Sequence, residues 1–247
     1  MEKAKSIEHL NHAPIIEAVL DFKVTPNPDA TRESLDLHEF TKKNFPERHI
    51  AHSLQYTGTF ALEMPESAEH KLQDEILGFR FIGDGKLFQS RFDGFTFNKL
   101  PPYTTWEETL SQAWKLWQLY VEHAKPVEIT RIGVRYINKS TFPNRNVKTF
   151  IERPCEFNEF VPGIPLNNYL FQSKLKISEE INAVVTQIVE PDSSSAGLSY
   201  ILDIDVSRNG SFLVNEPNLK DFFVELQDFK NKIFFNTVTE ATLDIWK

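Results

Sequence analysis

The sequence predicts an α+β fold: a mostly antiparallel sheet built from two related β-α-β-β-β-α halves, with the helices on one face. Three observations lead there. A proline-led segment of alternating residues opens each half, Pro14 to Val24 (PIIEAVLDFKV) and Pro126 to Asn138 (PVEITRIGVRYIN). A helix-like stretch and several alternating segments follow each opening. Each series then closes on a long amphipathic segment at helical spacing. Repetition of element order implies one sheet with internal pseudo-symmetry, and strands grouped ahead of helices favour the α+β class. No linker separates the halves, so residues 1–247 are expected to form a single unit with a boundary near Lys125, its halves running approximately over 1–125 and 126–247.

In the first strand Ile16, Ala18, Leu20, Phe22 and Val24 alternate with Glu17, Val19, Asp21 and Lys23. Period-two alternation marks a strand with one apolar face. Pro26 and Pro28 end it, and Thr31 or Ser34 can cap a short helix over Ser34 to Asn44 that turns Leu35, Leu37 and Phe40 inward. His49 to Met64 reads as a strand, and the acidic PESAEHKLQDE as a solvated loop. Leu77 to Ile82 and Lys86 to Phe92 flank Gly83-Asp84-Gly85, a hairpin signal. A further strand, Phe92 to Leu100, follows a bend at Gly94. Pro101-Pro102 ends the sheet segment, and Thr105 with Glu108 fits a capping box. Trp106, Leu110, Ala113, Trp114, Trp117 and Val121 then recur at helical spacing through His123. Three tryptophans on one stripe could form a ligand cage, but aromatic packing on a sheet is the commoner use of such a stripe.

In the second half Ile132, Val134 and Tyr136 alternate with Arg131, Gly133 and Arg135. A Pro/Asn-rich segment interrupts the strand, and a weak helix is expected near Val147 to Phe160. Tyr169 to Ile177 and Ile181 to Val189 predict a hairpin turning at Ser178-Glu179-Glu180. Glu190 to Gly197 (EPDSSSAG) reads as a mobile turn. Leu198 to Val206 is a strand ended by Arg208-Asn209-Gly210. Asn218 can cap a long helix with the apolar stripe Leu219, Phe222, Phe223, Leu226, Phe229, Ile233, Phe234 and Val238. The total is about ten strands.

Composition narrows the class. Hydrophobic residues at 40% and charged residues at 25% are ordinary globular values. Twenty-one phenylalanines predict an aromatic-rich core. A formal net charge of -8 argues against nucleic acid or an anionic membrane as partner over the whole surface, although a local basic patch stays compatible with it. The single cysteine, Cys155, allows no intrachain disulfide and no cysteine metal cage, which fits a reducing cytoplasm. The opening MEKAKSIEHL lacks an apolar core of signal-peptide length, and no apolar run reaches membrane-spanning length. The expectation is a soluble cytoplasmic protein.

Two stretches together carry a resemblance. Asn11-His12-Ala13-Pro14-Ile15-Ile16-Glu17-Ala18, continuing to Asp21, resembles the opening of a sporadically distributed prokaryotic family of uncharacterised proteins of similar length. Arg131-Ile132-Gly133-Val134-Arg135-Tyr136-Ile137-Asn138 resembles that family's central strand, and the long C-terminal helix agrees with its layout. The family has no established activity, cofactor or catalytic residue. The resemblance therefore implies no functional position.

The residues themselves offer one candidate surface. Arg131 and Arg135 lie at even spacing on one strand face, opposite Ile132, Val134 and Tyr136. Glu17, Asp21 and Lys23 share the polar face of the first strand. Arg80 alternates with Phe79 and Phe81, while the bend leaves the side of Arg91 open. Lys174 with Lys176, and Asp203 with Asp205, repeat the pattern. If helices cover the apolar face, these charges collect on the other. The bland outcome is a solvated face laced by cross-strand ion pairs. The sharper one is a groove in which arginines fork onto an anion or a partner's acidic residues. The leading expectation is thus a non-enzymatic binding or interaction protein, without a cofactor or a metal site. Its charged face, Arg131, Arg135, Glu17, Asp21, Lys23 and Arg80, would hold a protein partner or a small anionic ligand.

The alternative is a metal-dependent phosphoryl or nucleotide hydrolase in a curled sheet, with Glu17, Asp21, Asp203 and Asp205 on the metal. The first strand lacks the alternating Glu-x-Glu-x-Lys of tunnel enzymes. Walker, GxGxxG, nucleophile-elbow and His-Glu-x-x-His motifs are absent from the sequence. His49 and His52, three apart in a strand, would face opposite sides, and Cys155 among Glu152, Arg153 and Glu156 reads as an incidental thiol.

Overall fold

The computed structural model describes residues 10–55, 73–142, 149–152, 168–192 and 197–247. In chain order the first half contains β1 (Ile15–Thr25), α1 (Arg32–Leu35), α2 (His38–Thr41), β2 (Glu47–Gln55), β3 (Gln73–Gly83), β4 (Lys86–Arg91), β5 (Gly94–Lys99) and α3 (Trp106–Ala124). The second contains β6 (Glu128–Phe142), β7 (Tyr169–Lys176), β8 (Ile181–Pro191), β9 (Leu198–Phe212), α4 (Leu219–Thr237) and α5 (Glu240–Trp246). All nine described strands join one sheet in the order β2-β3-β4-β5-β1-β6-β9-β8-β7. Every neighbouring pair is antiparallel. The α+β class and the large antiparallel sheet are as the alternation predicts. β1 and β6, the two proline-led segments, lie side by side at the centre. β2 and β7 are the edges, so the described strands form an open sheet rather than a closed tunnel.

Alternation sets which residues go inside. On β1, Ala18, Leu20, Phe22 and Val24 are buried, as are Ile132, Val134 and Tyr136 on β6 and Leu202, Ile204 and Val206 on β9. Burying these side chains supplies the main stabilisation, roughly 1.5–3 kcal/mol for each large one. The Phe22 ring stacks on Trp117 of α3 at 3.9 Å and lies 4.9 Å from Phe223 of α4, so one β1 residue joins both long helices. Phe45, Phe81, Phe88 and Phe95 continue an aromatic row outward. α3 starts where Thr105 accepts a hydrogen bond from the Glu108 N–H, 3.2 Å, and stops where Lys125 turns left-handed with φ 47°. The close β1–β5 approach requires Gly94: a Cβ there would lie 2.2 Å from the Phe22 carbonyl oxygen.

Several expectations need correction. The single helix over 34–44 is two short helices broken at Asp36-Leu37, and Phe40 is exposed, not inward. Leu35 and Leu37 are buried as expected. Gln73 to Glu75, read as loop, belong to β3, where cross-strand pairing with β2 overrides their polarity. β6 runs past Asn138 to Phe142, and β9 continues through Arg208-Asn209-Gly210 to Phe212, because both keep each other's backbone paired. Glu190 and Pro191, read as turn, still pair with β9. Ile151 forms a β-bridge with Val238 where a helix was expected. Ile16 is 38% exposed because the β1–β6 register shifts between Ile15 and Glu17. The second part of the 49–64 strand, residues 65–72 of the acidic loop, most of the 147–160 helix, Cys155 and residues 193–196 lie outside the described residues. α5 was not anticipated.

Candidate functional site

The polar face of the central strands carries a connected ion-pair network. Arg131 donates to Asp21 of β1, and its other terminal nitrogen reaches both carboxylate oxygens of Asp205 on β9, at 2.9 and 3.0 Å. Arg135 forks onto Asp203 through Nε at 2.8 Å and Nη2 at 2.6 Å. Arg91 lies 3.9 Å from Asp21 and 3.0 Å from Asp93, which places it on this face too. Asn98 of β5 donates to Glu17 at 2.6 Å. The register explains the reach. Gly133 sits opposite Asp21, and Arg131, two residues back on the same face, lays its guanidinium over that glycine. A Cβ at Gly133 would come within 2.7 Å of Arg131 Nη1. The glycine thus leaves the space through which one arginine joins carboxylates on two strands.

Electrostatics separate the two arginines. Asp21 is largely buried, and burial pushes its carboxyl above the usual range, against the opposing pull of Arg131 and Arg91. Arg135 is about half exposed at 47% and its pKa is raised, chiefly by its hydrogen bonds to Asp203. Of the sequence-predicted residues, Asp21 and Arg131 meet directly, and Glu17 and Arg135 lie on the same face nearby. Lys23 is exposed beside Arg131 in the register. Arg80 is exposed on the same face but stands apart. It pairs across Gln89 and Thr96 before the register reaches Asp21, three strand spacings or about 14 Å away. The four carboxylates of the hydrolase reading are each taken by an arginine or an asparagine. No cluster of three or more metal-ligating side chains occurs among the described residues.

The opposite face of β6 carries a second feature that the sequence reading missed. A cleft of about 580 Å³ lies between the start of α3, α4 and the segment before β1, with Tyr136 and Asn138 of β6 in its lining. Lys230 of α4 enters it with 7% exposure. Its Nζ sits 3.9 Å over the Tyr136 ring and donates to Asn231 Oδ1. No carboxylate among the described residues lies within ion-pairing distance of it. Burial pulls the Lys230 amine down to about 7. The Tyr103 and Tyr136 hydroxyls share a hydrogen bond of 2.8 Å, and burial pushes both phenols up, so both stay protonated. The Asn138 amide donates to the Leu202 carbonyl at 3.0 Å. The signal was present in the sequence: Lys230 stands midway between Leu226 and Phe234, four residues from each, on the apolar stripe of α4. The tryptophans divide likewise. Trp117 is core, whereas Trp106 lines the cleft.

Comparison with family models, with curated proteins and with solved structures gave no match. No helix among the described residues is long and apolar enough to cross a membrane.

Proposed function

We propose that the protein acts by binding rather than catalysis, and that its charged sheet face receives a protein partner. The observation that carries this reading is the filled state of the guanidinium forks. Asp21, Asp205 and Asp203 already occupy Arg131 and Arg135, so a small anion would have to displace a tethered carboxylate from each. A protein surface does not need to. It can add contacts to the exposed charges of Arg135, Lys23 and Arg80 and to half-buried Glu17 around the network. Nine strands at about 4.8 Å spacing span roughly 40 Å, room enough for a standard interface. The test is purification from the native host followed by native mass spectrometry, for wild type and for Arg135→Glu with Lys23→Glu. The reading expects a stoichiometric partner on the wild type that is lost from a variant that remains folded, with a melting temperature lowered by only a few degrees. No partner, or one retained by the variant, overturns it.

We further infer that the sheet comprises two related halves with both long helices on one face. What supports this is the central β1–β6 pair, the meander running outward from each, and the shared contact of Phe22 with α3 and α4. Residues 1–125 and 126–247, produced separately, should then fold only when mixed, because each half lacks the other's central strand. The single cysteine and the resemblance to a prokaryotic family support a cytoplasmic setting.

A further inference from the structure

We propose that the cleft beside α4 is a binding site for a small organic monocarboxylate with an apolar body, whose carboxylate pairs with the Lys230 amine. Several independent features point to an anion there. Lys230 is 93% buried by its 7% exposure, yet only an amide oxygen and an aromatic face attend its Nζ. A buried ammonium has three donors and is costly without a counter-charge. Arg91 and Arg131 on the opposite face, and Arg208 beside α4, each have such a counter-charge, and Lys230 has none among the described residues. The cleft is open to a ligand at the same place, and the first turn of α3 borders it with further backbone donors.

The lining selects the class. Among the described residues one lysine and no arginine faces the cleft, so a single negative charge is matched better than a phosphate dianion. Trp106, Phe234, Phe235 and Pro101 supply apolar wall, suited to an aromatic or aliphatic body. The hydroxyls of Tyr103 and Tyr136 offer a donor for the second carboxylate oxygen or for a polar substituent. The volume of about 580 Å³ accommodates a ligand well below peptide size. This site lies on the face of β6 opposite the ion-pair network, so it stands independently of the protein-partner reading.

Charge linkage gives the test a signature. The amine is pulled down by burial, so it accepts a proton when a carboxylate binds near neutral pH. Affinity should be greatest below pH 7 and fall by up to about ten-fold per pH unit above it. Among the described residues, the other titratable groups facing the cleft are His12, Glu107, Tyr103 and Tyr136. A His12→Gln variant removes the imidazole among them.

The experiment is calorimetric titration of the full chain with benzoate, phenylacetate and hexanoate, against benzamide and inorganic phosphate, at several pH values and in buffers of different ionisation enthalpy. The expected result is saturable binding of at least one carboxylate with proton uptake. Benzamide, phosphate and the Lys230→Met variant should each bind at least about ten-fold more weakly. The pH profile should persist in His12→Gln. Trp106→Ala, at a half-buried position, should weaken binding without changing that profile, which guards against misfolding of Lys230→Met. Binding that is undiminished in Lys230→Met, binding that is independent of pH, tighter binding of phosphate, or no carboxylate bound at about 10 mM would each overturn the proposal.

Discussion

Strand β6 separates two regions that treat charge in opposite ways. On one face Arg131 and Arg135 meet three aspartates, and both guanidinium groups are answered by carboxylates of neighbouring strands. On the other face Lys230 is buried deeper than any of those arginines and meets no carboxylate among the described residues. A self-compensated network binds its own members and leaves little for a small ligand. An uncompensated cation beside an open cleft retains its capacity for one. Under the proposed reading, small-anion recognition falls on the Lys230 side of β6, away from the arginines that draw attention in the sequence.

The largest expected effect tests whether the network is structural. Arg131→Ala leaves Asp21 buried without its main partner and frees Asp205. It should cost about 3–5 kcal/mol in urea unfolding, as for other broken buried pairs. Burial already holds the Asp21 carboxyl high, and losing Arg131 raises it further. An acid whose folded pKa lies above its unfolded value favours folding below the unfolded pKa and loses that contribution as pH rises through the folded one. The deficit of the variant should therefore be smallest near pH 4 and widen upward. A loss under about 1 kcal/mol, flat with pH, would remove the distinction between the two faces.

Lys230→Met should act in the opposite direction. A lysine depressed in the folded state binds fewer protons than in the unfolded chain between about pH 7 and 10, so wild-type stability rises with pH across that window. The variant should be more stable than wild type near pH 7 by up to about 4 kcal/mol, and the gap should close toward pH 10. Thermal unfolding across that range checks it. A destabilised variant with the wild-type slope would mean that the ammonium is already compensated.

How much of this was legible follows from what alternation and spacing encode. Period two assigned Arg131, Arg135, Glu17 and Asp21 to one face correctly, because side-chain parity is local. It could not say which charges would pair, since the Arg131 contacts run diagonally over Gly133 and depend on the register of three strands. Arg80 had the right parity but the wrong distance, because strand order is a tertiary property. The cleft was hidden for the same reason: its lining comes from the segment before β1, the start of α3, β6 and α4. Only Lys230 left a local trace, as a charge at a core position of a helix. Strand ends were missed where pairing carried polar stretches such as Gln73 to Glu75 and Arg208 to Gly210.

Gly133→Ala is a finer probe of how the network is packed. The new methyl would meet the end of the Arg131 side chain at about 2.7 Å, a flexible group that can withdraw. A loss of about 1 kcal/mol is expected, with less of the pH widening seen in Arg131→Ala, because the arginine can still reach one of its two aspartates. A loss equal to that of Arg131→Ala would mean that both aspartates depend on one guanidinium position.

The smallest effect should come from Arg135→Ala, and it bears most directly on function. Arg135 is 47% exposed, so water screens its fork onto Asp203 and the pair should contribute under about 1 kcal/mol. Asp203 is the more buried partner at 17% exposure, which keeps the expected loss above zero. A residue that contributes little to folding yet presents a fixed guanidinium at the surface can be replaced without confusing stability with recognition. Measured by urea unfolding, a loss above about 2 kcal/mol would place Arg135 with Arg131 as a structural group, and partner contacts would then fall to the remaining exposed charges of this face, Lys23 and Arg80 among them.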